Sequence, residues 1–275
     1  MLQALAARQE AVADPSGWKK QAELTAPLLT GTGNPHPIEN GFAFLLPYGI
    51  PYLAASGFKG VMRKAAEELA ISGGSSPWTL FLVWVMFGFD ETCPLLQPKD
   101  RVKGSMWEGV FERLIETIKN ASDLILADWL KALDLDPPPV SQKAWIRSLR
   151  PQNADDRRPN IHWQGLLEFE DAFPDAQAQL DVDILNPHHS NYYQRGETPH
   201  DAEQPKPVFF LVLREGATFV FRIRRRHTNH ALWRWIPDWN SLLDEAFNYA
   251  CDWLGFGAKT ATGYGAMKVT TPCNQ

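Results

Sequence analysis

The stretch GFGAKTATGYG at 255–265 places four glycines and one lysine in eleven consecutive positions near the end of a 275-residue chain. Main chain this poor in Cβ atoms exceeds what a turn requires, and it can approach a ligand closely. Its neighbours set its context. The preceding DWNSLLDEAFNYACDWLG carries Leu243, Phe247, Ala250 and Leu254 at helical spacing, with Asn240 or Ser241 as cap and Gly255 just past the end. The following YGAMKVTT reads as a strand. Helix, loop, strand is the wrong order for two familiar phosphate loops. GxxxxGK[ST] needs a strand before it and glycine before the lysine, where Ala258 stands before Lys259. GxGxxG needs a third glycine, where Thr260 stands, and then a helix. Two readings remain. In one, Gly255 is a helix C-cap and the other glycines allow a wide turn. In the other, Gly255, Gly257, Gly263 and Gly265 bring amides inward while Lys259, Thr260 and Thr262 add donors, a concavity suited to the backbone of a polyanion.

A second unusual stretch lies upstream. After a near-continuous apolar strand, GFAFLLPYG, the sequence ASGFKGVMRKAAEELA has Phe58, Val61, Met62, Ala65 and Leu69 on one helical face. With Ser56 as cap, Lys59 takes a first-turn position where an acidic residue would complement the macrodipole, a mismatch of ~0.3–1 kcal/mol. Gly60 in the same turn costs about 1 kcal/mol more relative to Ala. A phosphate would offset both, because helix-end amides, Lys59 and Arg63 would converge on it. The plainer reading leaves Lys59 and Arg63 as solvated charges.

The formal charge of -5 excludes a broad basic field, so any anion site is local. One local cluster is FRIRRRHTNH, in which Arg222 and Arg224 alternate with Phe221 and Ile223 on a strand; it is either a solvated edge or an RNA or partner contact. Three scattered cysteines suit a reducing compartment. The run WTLFLVWVMFGF at 78–89 is too short to span a membrane, which needs roughly 20 residues, and reads as a buried segment. No signal peptide is visible, and the expectation is a cytoplasmic chain with no membrane partner. Residues 104–134 read as two helices, and 134–142 and 150–160 as an exposed connection. Strands follow at GLLEFED and AQLDVDIL, then a hairpin of PVFFLVLR and TFVFRIRR joined across Glu215 and Gly216. The polar segment 186–207 is long enough to be functional.

Two kinds of chemistry are conceivable. His36 stands between two prolines, with no second catalytic group near it in sequence. Asp181 and Asp183 alternate with Val182 and Ile184, which points to the polar face of a strand rather than to catalysis. His188 and His189 lack ligand spacing, so no metal and no cofactor is expected. Tyr192 and Tyr193 suit either base stacking or pinning of their loop.

The segments PYLAASGFKGVMR and GFGAKTATGYG resemble two motifs of the RAMP superfamily of CRISPR proteins, a PxxPGSSLKGxxR-like segment before a helix and a C-terminal GxGxKTxxGYG loop. In the first, Lys59, Gly60 and Arg63 match while Ala54, Ala55, Gly57 and Phe58 depart. GLLEFEDAFP followed by LDVDILNPHHSNYY is similar to the Cmr branch of that superfamily. The resemblance implies an α+β fold with a ferredoxin-like (RRM-like) core and antiparallel sheet, one domain over 1–275 with a helical insertion at 72–163. It also implies a noncatalytic subunit of a type III-B effector ribonucleoprotein for antiviral defence, capping the backbone filament near the crRNA 3′ portion. Its partners would be guide RNA, target RNA and the neighbouring RAMP backbone and small subunits. Ser56, Lys59, Gly60, Arg63, Arg222, Arg224 and the loop residues would then lie along RNA. The alternative that the resemblance implies is a metal-independent endoribonuclease processing CRISPR RNA, with His36 as general base.

Overall fold

The computed structural model describes residues 1–35, 41–72, 74–90, 93, 109, 110, 113, 116, 123–133, 162–175, 178–185 and 207–270. His36, the segment 186–206 with its histidine and tyrosine pairs, and most of the expected first insertion helix lie outside them. In chain order the elements are α1 (Leu2–Val12), β1 (Trp18–Leu24), β2 (Phe44–Leu45), β3 (Ile50–Pro51), α2 (Ala55–Ser72), α3 (Leu80–Phe87) and α4 (Asp123–Leu133). There follow β4 (Leu167–Phe169), β5 (Phe173–Pro174), β6 (Leu180–Leu185), β7 (Val208–Leu213), β8 (Thr218–Arg225), α5 (Trp239–Tyr249) and β9 (Met267–Thr270). Helices thus mix with antiparallel pairings such as β1 with β9 and β6 with β7. The main sheet runs β4-β8-β1-β9, with β5 also paired to β8. Two compact units emerge, one of Met1–Val61, Phe169–Arg222 and Asn248–Gln275, the other of Met62–Glu168 and Ile223–Phe247.

The first unit is organised around Phe58, fully buried in the opening turns of α2. Its ring lies 4.8 Å from that of Phe221 on β8, 5.0 Å from Phe169 on β4, 6.5 Å from Trp18 on β1 and 6.3 Å from Phe256. Edge-to-face and tilted ring pairs of this kind add ~0.5–1.5 kcal/mol each beyond their area burial. The start of α2 is fixed from outside the helix. Leu53 and Ala172 exchange two backbone hydrogen bonds of 2.9 Å, and the Ala55 N–H donates to Asp171 Oδ1 at 2.7 Å. The helix therefore opens at Ala55, and Ser56 sits inside its first turn instead of capping it. A carboxylate 116 residues away in sequence does the work assigned to that hydroxyl.

The expected hairpin of β7 with β8 does not form. The chain after β1 separates the two strands: Leu28 exchanges backbone bonds with Leu213, while the Gly216 N–H donates to Leu24 O and the Leu24 N–H to Ala217 O. Freed from β8, β7 pairs with β6 in a two-stranded ribbon with Asp183 opposite Phe210 and Asp181 opposite Val212. Alternation along β6 is present as expected, but it is inverted. Phe210 and Val212 pack on Leu29, Ala258 and Tyr264, whereas Val182 (57% exposed), Ile184 (48%) and Phe209 (47%) face outward. The aspartates explain the inversion. Asp183 accepts a 2.6 Å bond from the Tyr264 hydroxyl, Asp181 accepts a 2.7 Å bond from Arg214 Nε, and each also accepts the N–H of the residue after it.

In the second unit the apolar run becomes α3, capped by the Thr79 hydroxyl oxygen, which accepts from the Leu82 N–H, and ended at Gly88. Trp84, Phe81 and Phe89 gather around Trp129 of α4, with Phe81 to Trp129 at 4.7 Å and Trp84 to Phe89 at 4.5 Å. The Trp163 and Trp78 indoles donate to Val85 O and Leu242 O, which satisfies the polar edges of these two rings. No helix among the described residues is long and apolar enough to cross a membrane.

Removing the Phe58 ring leaves a cavity among four aromatic neighbours, so Phe58→Ala should cost about 3–5 kcal/mol in equilibrium denaturation, with Phe58→Leu well below that. The Tyr264 hydrogen bond has a spectroscopic signature. The Asp183 carboxylate accepting its proton pushes the phenol up to about 12. A raised folded-state pKa means that this contribution is complete below pH ~10, the ordinary tyrosine value, and is lost as pH rises through about 12. Ultraviolet titration should show one late-ionising phenol, which Asp183→Asn returns to the ordinary range.

Candidate nucleic-acid interface

Helix α5 does not run straight into the glycine loop. Its last turn widens over Ala250–Leu254 and closes with an i→i+5 hydrogen bond, the Gly255 N–H donating to Ala250 O at 2.9 Å. Gly255 then takes φ 69°, as the C-cap reading expected. The loop folds back on its own neighbourhood: Phe256 N–H to Gly265 O, Ala258 N–H to Leu29 O and Gly265 N–H to Pro27 O, all between 2.7 and 2.9 Å. Two glycines are steric requirements of this fold. A Cβ on Gly265 would stand 1.8 Å from Phe256 O, and one on Gly257 would stand 2.4 Å from Leu29 O. Both also hold positive φ.

The tip, Lys259–Gly263, is different. Lys259, Ala261, Thr262 and Gly263 are exposed, and Thr260–Thr262 form a single tight turn in which Thr262 donates N–H and Oγ1 to Lys259 O. Lys259 itself sits at φ 57°, left-handed backbone that a non-glycine residue adopts at a cost of roughly 1 kcal/mol. That strain aims an exposed lysine from a loop whose base is rigidly held. Phe256 is the anchor, completely buried and 5.1 Å from the Phe221 ring.

The same anchor joins the loop to α2. Phe256 neighbours Phe58, and the residue after Phe58 is the half-buried Lys59. The two stretches singled out in the sequence, more than 190 positions apart, are thus built onto one aromatic cluster in one unit. Ser56, Gly57 and Gly60 are exposed on α2, and a Cβ on Gly60 would meet open space. Nothing in the described chain requires a glycine at 60. The helix-end amides are only partly free for an anion, because Asp171 already takes the Ala55 N–H.

The arginines are deployed differently. Arg63 Nε donates to Glu67 at 2.9 Å and its Nη1 to Gly88 O at 3.0 Å, so its guanidinium braces its own unit. Arg222 was expected on a basic solvent face, but it is only 7% exposed and donates to Glu10 at 2.6 Å. Helix α1 brings Glu10 over that face of β8, and bonds from Lys19 and Arg222 hold the Glu10 carboxyl below its usual range. Arg224 donates to Glu168 at 2.7 Å, which lowers the Glu168 carboxyl likewise. Arg225 lies over the Trp233 and Trp239 rings at 5.6 and 5.9 Å. The basic run is thus largely engaged by its own chain. Among the described residues no group of His, Cys, Asp and Glu is arranged to hold a metal, and burial pushes the Cys251 thiol up to about 12, far from thiolate chemistry at neutral pH.

Asp171 and Asp183 are the site-shaping residues that local sequence patterns missed. Each acts on a partner 81 or more positions away, and although both stand in the segments that carry the Cmr resemblance, nothing in the local pattern names the partner.

Comparison with known proteins supplies the family. The chain is 25% identical over 254 residues to the CRISPR system Cmr subunit Cmr6 of Pyrococcus furiosus, covering 87% of this chain and 64% of that protein. It therefore spans less than two thirds of that relative's length. Among solved structures, the crystal structure of Cmr6 from Pyrococcus furiosus is similar at a TM-score of 0.39 and 22% identity, over 91% of this chain and 97% of that one. A chain of the type III-B Cmr-beta complex bound to cognate target RNA is similar at a TM-score of 0.47 and 14% identity, over 98% and 63%. The model describing the RAMP superfamily matches residues 21–268, and the chain belongs to that superfamily.

Proposed function

We propose that this chain is a noncatalytic, RNA-binding subunit of a type III-B CRISPR effector, a Cmr6-like component that caps the RAMP backbone near the crRNA 3′ portion. Guide RNA, target RNA and neighbouring RAMP and small subunits are its partners in this reading. Family membership and the similarity to Cmr6 support the assignment. The strand order supports a ferredoxin-like core: β1, α2, β4, β8, α5 and β9 follow one another as βαββαβ, with β8 and β1 central. Residues 72–163 are then an insertion between the first helix and second strand of that core.

The observation that carries the RNA reading is the union of the glycine loop with the start of α2 through Phe256 and Phe58. It sets Lys59 and the strained, exposed Lys259 on one cluster, beside main chain stripped of side chains at Gly60 and Gly263. Such a surface reads phosphates, which positions RNA without specifying its sequence. Arg63, Arg222 and Arg224 serve mainly as internal braces, and RNA contact is assigned to the lysines, Ser56, Thr260, Thr262 and the exposed glycines. With a net charge of -5, the rest of the surface is left for protein neighbours.

Gly60 separates this reading from a purely structural one. Gly60→Ala should raise the stability of α2 by about 0.5–1 kcal/mol, since the site is helical and open, yet weaken binding to unrelated single-stranded RNAs. Lys259→Ala should weaken the same RNAs uniformly and flatten the salt dependence by about 0.7 log unit per decade for each phosphate it no longer neutralises. Parent-like RNA affinity in both variants removes these residues from the interface. Single-turnover RNA cleavage by the full chain, abolished by His36→Ala, would replace the noncatalytic reading with a ribonuclease.

A further inference from the structure

Trp253 is 76% exposed, although the sequence around it is that of a buried helix face. Trp239, Leu242, Leu243, Ala246, Phe247 and Ala250 are all buried at helical spacing, and an unbroken α-helix would carry position 253 onto the same side. The i→i+5 turn changes this. It accommodates one extra residue, so the side chains after Ala250 rotate relative to the buried stripe, and the indole turns to solvent.

Its position in the chain is specific. Trp253 lies two residues before Gly255, whose Cα position is packed against the loop tip and its return: a Cβ there would stand 3.3 Å from the Thr260 side chain and 3.2 Å from Gly265 O. Trp253 thus stands at the entrance of the loop that carries Lys259, two positions before its first glycine. It also stands apart in sequence from the other exposed apolar side chains. The other large exposed apolar side chains among the described residues fall on β6 and β7, in the Leu46–Tyr48 turn and on or before α1, and the residue beside the indole is the exposed Asp252. An apolar protein partner is met by a cluster of such side chains within a dry rim. A lone aromatic plane beside a cationic, glycine-rich strand of main chain is instead the arrangement that holds single-stranded nucleic acid, phosphates on the main chain and a base on the ring.

We propose that Trp253 is a stacking platform for one nucleobase of an RNA whose backbone runs along the 255–265 loop. This inference rests on the RNA-binding reading above and adds to it an interaction with a base. The π-type turn is the device that presents the ring, and the stacking is tolerant of sequence because every base offers a flat face.

The test uses the full chain and two probes of equal length, roughly 12 nucleotides: oligoadenylate and an abasic ribose-phosphate strand. Trp253→Ala should melt like the parent, bind oligoadenylate roughly 5- to 150-fold more weakly, and keep the parent's salt slope. Trp253→Phe should retain most of the affinity. On the abasic strand, parent and Trp253→Ala should bind equally. Unchanged oligoadenylate affinity in Trp253→Ala, while Lys259→Ala still weakens binding, overturns the stacking proposal and leaves the RNA-binding reading standing. Equal losses on both probes also overturn it, because the ring would then act through the phosphate backbone. Failure of the parent to bind either probe overturns both readings.

Discussion

One buried ring fixes the geometry on which the rest of the first unit depends. Phe58 occupies the point where the α2 start, β1, β4, β8 and the C-terminal loop meet, and each of these contributes an aromatic neighbour or the backbone beside one. Because interiors are packed at near-crystalline density, such a cluster has few alternative arrangements. The residues that flank its members in sequence inherit fixed positions. Lys59 follows Phe58, and the loop tip follows Phe256, so a hydrophobic constraint sets the placement of two cations that never need to meet.

The same constraint explains which parts of the molecule could be read from the sequence. Period and punctuation located α2, α5 and β9, because their signals are local: buried Phe58, Met62 and Ala65 recur at helical spacing. The run 78–89 was legible only as buried, and its helical form, bounded by Thr79 and Gly88, was not. The loop and the start of α2 were recognisable as unusual through their glycines and lysines. With the helix opening at Ala55, however, Lys59 falls in the second turn, and the macrodipole mismatch expected from a Ser56 cap does not hold. Long-range partners were not recognisable. The hairpin expected across Glu215 and Gly216 fails because Leu24 and Leu28 intervene, and the cap expected from Ser56 is supplied by Asp171. The widening of the last turn of α5 left no local signal either, since its apolar spacing is compatible with an unbroken helix.

The arginines act largely within the chain. Guanidinium groups, which suit fixed multidentate geometry, are used within the chain on Glu67, Glu10 and Glu168 and on carbonyl oxygens. Lysines serve in both ways: Lys19 bonds Glu10 and Lys64 pairs with Glu68, while Lys259 stands exposed at the loop tip. A count of basic residues along FRIRRRH therefore overstates the positive potential available to a ligand, and the placement of single lysines on strained or glycine-bordered backbone is the better guide.

The β6 strand carries a further consequence. Its Val182 and Ile184 N–H groups are occupied by the carboxylates of the residues before them, at 2.8 and 2.7 Å, while its apolar side chains stand outward. An incoming extended segment seeking to lengthen the ribbon would find those main-chain donors already engaged, so the greasy surface is uncoupled from the templating that turns exposed strands into aggregates. Two aspartates thereby let a water-facing apolar ribbon persist without recruiting further strands.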